Sequence, residues 1–89
     1  MRINNISIKE VIIDPHYEIK HSKSIDDRLI IELVKKLDGE QFDPESTSDG
    51  FEYYVAEELS HAGKLYKLVW LLEKNKLYIG VVNAYRRKK

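Results

Sequence analysis

The chain predicts an α+β domain, and three observations carry that expectation. A four-residue repeat of apolar side chains runs through 25–37, and β-branched residues dominate 6–13. Three strand-like runs separated by tight-turn residues then fill the C-terminal half. The expected order is an N-terminal strand, a short helix, an amphipathic helix and a three-stranded antiparallel meander, with helix packed on sheet. Eighty-nine residues can wrap only one hydrophobic core, so 1–89 reads as a single domain.

Residues 6–13, ISIKEVII, end at Asp14-Pro15 and read as a strand. Asp14 can cap a short helix with Pro15 at its first position, where the missing N–H costs nothing. That turn carries His16, Tyr17, Ile19 and His21. The amphipathic helix is expected over 25–38. Ser24 is a good N-cap, and Asp27 three residues on makes a weaker capping box. Ile25, Leu29, Leu33 and Leu37 recur on one face, with Ile30 and Val34 filling it, and only Ile31 points away. Burial against the sheet is expected for Leu29, Leu33 and Leu37. Asp26 and Asp27 sit at the positive end of the helix dipole, Lys35 and Lys36 at the negative end. Gly39 then ends the helix.

Residues 40–50, EQFDPESTSDG, read as a loop. In the strand that follows, Phe51, Tyr53, Val55 and Leu59 are expected to share a face, with Glu52 and Glu58 on the other. A turn at His61-Ala62-Gly63 leads to LYKLVWLL, apolar on both faces and therefore expected at the centre of the sheet. Lys74-Asn75-Lys76 makes the second tight turn, with Asn75 suited to a positive φ. LYIGVVNAY then runs into Arg86-Arg87-Lys88-Lys89.

Composition narrows the function classes. Hydrophobic residues make up 43% and charged residues 34%, as in a globular protein rather than a disordered tail. Without cysteine there is no disulfide or thiolate metal site, and a reducing compartment is in keeping. No apolar run has the length of a membrane span, and MRINNISIKE lacks a signal-peptide core, so a cytoplasmic location without membrane association is expected. An exposed strand edge on so small a domain can recruit a second chain, which makes a homo-oligomer one expected state.

The net charge is zero, yet it is segregated. Residues 38–63 carry eight acids (Asp38, Glu40, Asp43, Glu45, Asp49, Glu52, Glu57, Glu58) and no Lys or Arg. Residues 64–89 carry eight bases against Glu73 alone. Such asymmetry gives one protein two kinds of surface, although two merely solvated patches would look the same. The acidic stretch is expected to lie outside any chemistry on a polyanion, which its carboxylates would repel.

Candidate chemistry is sparse. His16 and His21 stand five residues apart, a poor same-face spacing on a helix, and a metal needs at least three converging ligands. No metal or cofactor is expected. One of the pair can act as a general base, because histidine titrates near neutral pH, but most histidines in a helical turn are only surface residues. Phe51, Tyr53, Tyr54, Tyr66, Trp70, Tyr78 and Tyr85 all fall in or beside strands. Exposed sheet aromatics can stack bases, while buried ones are packing, the role expected of Trp70. Arg86 and Arg87 follow directly on a strand, and arginine grips phosphate bidentately. The bland reading of the same residues is a solubilising tail, which suits Lys88 and Lys89.

The segment GKLYKLVWLLEKNKLYIGVVNAYRRKK, residues 63–89, resembles the C-terminal strand pair of the RelE/ParE/HigB superfamily of bacterial toxins. The shared features are a hydrophobic strand, a tight turn, a second apolar strand and a basic cluster. The placing of His16 and His21 ahead of Ser24 is also similar to BrnT-like small toxins. The resemblance implies a RelE-like fold and a toxin-like endoribonuclease of a toxin–antitoxin pair, cleaving RNA without a metal. Arg86, Tyr85, His21 and His16 would then be the catalytic candidates. Lys67, Arg87, Lys88 and Lys89 would hold RNA, free or ribosome-bound, and a protein antitoxin would be the second partner. ParE-like members are not nucleases, so the alternative is a non-catalytic protein-binding module on the same fold.

Overall fold

Alternation of apolar and polar residues builds the C-terminal half of the molecule, and it builds more sheet than the sequence suggests. The structure, a computed structural model, describes residues 1–13 and 25–87. Among them are strands β1 (Arg2–Ile3), β2 (Ile6–Ser7) and β3 (Glu10–Ile13), and the helix α1 (Asp27–Lys35). Strands β4 (Ser46–Ser48), β5 (Phe51–His61), β6 (Lys64–Glu73) and β7 (Tyr78–Arg87) follow. The main sheet runs β3-β7-β6-β5-β4. β6 is its middle strand, as its two apolar faces require.

The expected α+β, RelE-like layout of two helices and a three-stranded meander is corrected here. The described residues are mostly strand, α1 is the one helix among them, and the five-stranded sheet is mixed. Part of the difference lies at 40–50, where Ser46–Ser48 pairs with Phe51–Tyr53. Asp49 and Gly50, at φ +50° and +85°, form the two-residue turn that closes this hairpin. The rest lies at the N-terminus. Asn4 and Asn5, both at positive φ, fold β2 back on β1, so 6–13 is two strands rather than one. β3 then runs parallel to β7, with Val11 opposite Ile79 and Ile13 opposite Val81. The short helix expected around His16 and His21, and the Ser24 cap, fall outside the described residues.

α1 is shorter than 25–38 but buries the expected stripe. Its N-cap is Asp26, whose carboxylate accepts from the Leu29 N–H at 2.9 Å, a contact worth about 1 kcal/mol. Beyond Lys35 the turns tighten: the N–H groups of Lys36, Leu37 and Asp38 reach back three residues instead of four. Gly39 ends the run at φ +80°. Ile30, Leu33, Val34 and Leu37 are fully buried, and Leu29 packs at the edge of the core. Trp70 centres that core, stacked on Tyr54 at 5.5 Å and edge-on to Phe42 at 5.0 Å.

In β6 the buried residues Tyr66, Leu68, Trp70 and Leu72 alternate with the half-buried Leu65, Lys67, Val69 and Leu71. The first set faces α1 and the N-terminal hairpin in one core. The second set, with Tyr53, Val55 and Tyr85 beside it, forms a face on which, among the described residues, only Gly80 is buried. This second surface is the open face. Among the described residues, no helix is long and apolar enough to cross a membrane.

Two irregularities flank β6. Glu57 and Glu58 together oppose Lys67, between the pairs Ala56–Leu68 and Leu59–Tyr66. Val82 is the extra residue between Asn83–Val69 and Val81–Trp70. Both are β-bulges, which bend a strand and re-aim its side chains. The first corrects the face expected for Leu59: it rejoins the core, whereas Phe51, Tyr53 and Val55 lie on the open face.

Candidate functional site

Successive residues of a strand point to opposite faces, so the neighbours that end β7 part company. Tyr85 lies directly opposite Lys67 and Arg87 opposite Leu65, all on the open face. Arg86 lies opposite the buried Tyr66 and therefore on the helix-side face. His61 and Lys64, paired at the tip of the β5–β6 hairpin, share the side of Tyr66 and Arg86. The structure thus brings Lys67, Tyr85 and Arg87 together and sets Arg86 apart from them. His16, His21, Lys88 and Lys89 fall outside the described residues.

A residue from the acidic stretch completes the cluster. The bulge in β5 aims Glu57 across its neighbours: Arg87 Nη1 lies 3.0 Å from its Oε2, and Lys67 Nζ lies 3.7 Å from its Oε1. Arg87 Nη1 also donates to the Glu57 backbone carbonyl at 3.0 Å. Asn83, two residues before Tyr85, donates its amide N–H to the tyrosine oxygen at 2.6 Å. Lys67, Arg87 and Glu57 keep 36%, 41% and 59% of their side-chain surface in water. Ion pairs this exposed contribute only about 0–1 kcal/mol, so an anionic ligand can displace them at little cost. The cluster keeps one surplus positive charge, and the exposed ring of Tyr85 stands beside it.

Two other strand tyrosines are committed elsewhere. Tyr78 donates to Glu73 at 2.7 Å, and that hydrogen bond holds its phenol above the ordinary value, with burial and the Glu73 charge adding. Tyr54 is raised chiefly by burial, then by the charge of Glu52, to which it donates at 3.2 Å. A groove lined by Thr47, Asp49, Phe51 and Lys74 lies at the opposite end of β5 from Glu57.

Sequence reasoning missed Glu57 and Asn83. Asn83 was within reach, because a period of two from Tyr85 and Arg87 selects it. Glu57 was not, since its position depends on the bulge. Of the acidic stretch, Glu57 is the residue that pairs with Lys67 and Arg87 here. Comparison of the chain with known protein families, with characterised proteins and with solved structures finds no match.

Proposed function

We propose that the chain is a toxin-type endoribonuclease that binds RNA on the open face, where Lys67, Tyr85, Arg87 and Glu57 meet. The observation that supports this reading is the cross-strand pairing of Lys67 with Tyr85, with Arg87 on the same face. Two cations can hold a phosphate, an exposed aromatic ring can stack a base, and a carboxylate and a phenol can move protons. The reading rests on these side chains and on the resemblance of 63–89, not on a RelE-like layout. A cytoplasmic location and a protein antitoxin that covers the face belong to the same proposal.

One observation favours a second reading. Tyr53, Val55, Val69 and Leu71 form a half-buried apolar row on the same open face, as a protein-docking surface would. In that case the chain is a non-catalytic binding module. Purified protein incubated with RNA, with and without ribosomes, separates the two, together with growth of cells expressing it alone. Cleavage and growth arrest are expected. Intact RNA and normal growth would favour the binding module, whose protein partner should then be lost on mutating Lys67 or Arg87.

A further inference from the structure

The open face is charged at both ends of its strands and apolar between them. At the end near the β5–β6 turn stand Lys67 and Arg87 against Glu57, a surplus of one base. At the other end stand Glu73, opposite Phe51, and Glu10, opposite Tyr78. Tyr78 donates to Glu73 at 2.7 Å and holds its carboxylate in place. Tyr53, Val55, Val69 and Leu71 fill the middle, and the exposed Ile12 carries the apolar row onto β3, opposite Gly80. Leu71 leans across Gly80, where an added Cβ would meet its Cδ1 at 2.9 Å, so leucine covers the glycine there.

We infer that two copies of the chain pack open face to open face, related by a twofold axis that crosses the strands at Trp70. A twofold interface sets one patch against itself, so the patch must be its own complement. Two aligned arrangements of facing sheets satisfy that symmetry, and charge chooses between them. An axis along the strands would set Lys67 over Lys67 and Glu73 over Glu73, like on like. An axis across the strands exchanges their ends. Lys67 and Glu73 stand three residues either side of Trp70 in β6, so each Lys67 then faces Glu73 of the second copy. Val69 faces Leu71 in the same way, and Tyr85, beside Lys67, faces Tyr78, beside Glu73. Packed sheets are about 10 Å apart, a gap that lysine and glutamate close from opposite sides.

Removal of the apolar row from water drives the association, and the charged ends fix its direction. The ion pairs Lys67 makes in the single chain are exposed and weak, so turning to a second carboxylate costs little. The paired form does not depend on the RNA reading above. It bears on that reading all the same, because Glu73 of the second copy and a phosphate would compete for Lys67. The dimer is then the form closed to RNA, and the single chain the form open to it.

Sedimentation equilibrium of nucleic-acid-free protein over a range of concentrations tests the pairing. The mass should rise from that of one chain to that of two. Lys67→Glu and Glu73→Lys should each weaken the dimer about tenfold or more, because each sets like charges together twice per dimer. The double variant should recover it. An equal mixture of the two single variants should recover it as well, which also shows that both are folded. Arg86→Glu, the same change of charge on the helix-side face, should leave the dimer as it is. A single-chain mass at every concentration would overturn the pairing. A dimer that Lys67→Glu leaves intact, or that neither the double variant nor the mixture recovers, would do the same. So would one that Arg86→Glu weakens as much as Lys67→Glu does. None of these results touches the RNA reading, which the cleavage assay decides alone.

Discussion

Trp70 and Val69 are neighbours in the central strand, yet they belong to two different surfaces. Trp70 is fully buried between Tyr54 and Phe42 on the face that α1 covers. Val69 is half-buried on the open face, between Val55 on one side and Asn83 on the other. The helix-covered face collects the large buried side chains. The open face collects Lys67, Glu57, Tyr85 and Arg87, and little in the packing depends on them. Dividing the sheet in this way lets one side hold the fold while the other varies its chemistry.

The sharpest break of that division is a pair of substitutions one residue apart. Trp70→Ala should cost about 3–5 kcal/mol, through lost transfer energy and the cavity left among Tyr54, Phe42 and the helix. Val69→Ala should cost only about 1 kcal/mol, because its surface is partly hydrated already. Urea melts of the two variants measure both. Equal losses would mean that the open face is packed as tightly as the covered one.

How far the two faces can be read from sequence differs between them. The covered face was legible in α1, where Ile30, Leu33, Val34 and Leu37 follow the helical period, and in β6, where Trp70 was expected in the core. The turn at Asn75 was legible as well, and it has the positive φ its side chain suits. Asp49-Gly50 and Asn4-Asn5 are the turn residues of the β4–β5 and β1–β2 hairpins, and strands as short as β1, β2 and β4 leave little alternation beside them. The parallel placing of β3 against β7 is set by long-range packing and leaves no local mark. On the open face, Lys67 and Tyr85 could be named from sequence, but not that they are partners. A register depends on bulges, and neither Glu57-Glu58 nor Val82 announces itself in composition.

A smaller effect comes with alkaline pH. The Tyr54 phenol is raised above its ordinary value of 10.0 by burial on the covered face, then by the Glu52 charge and hydrogen bond, so folding favours its neutral form. That contribution is fully present below the unfolded value and is lost as pH rises through the folded one. Stability should therefore decline above about pH 10. Tyr54→Phe should flatten part of the decline in melts taken across that range. An unchanged slope would assign the alkaline loss to other groups.

The division of the sheet meets its most direct test at Arg86 and Arg87. They are adjacent in sequence and equal in charge, and both are exposed, but they lie on opposite faces. The measurement is RNA affinity as a function of salt for Arg86→Ala and Arg87→Ala, with cleavage followed on the same samples. Arg87→Ala should weaken binding, shallow the slope of log affinity against log salt by about 0.7, as loss of one phosphate contact on a single strand does, and slow cleavage. Arg86→Ala should leave the slope and the cleavage rate close to those of the unmodified protein. Equal losses from the two would show that charge at this end acts without regard to face. A larger loss from Arg86→Ala would place the RNA on the helix side and contradict the account.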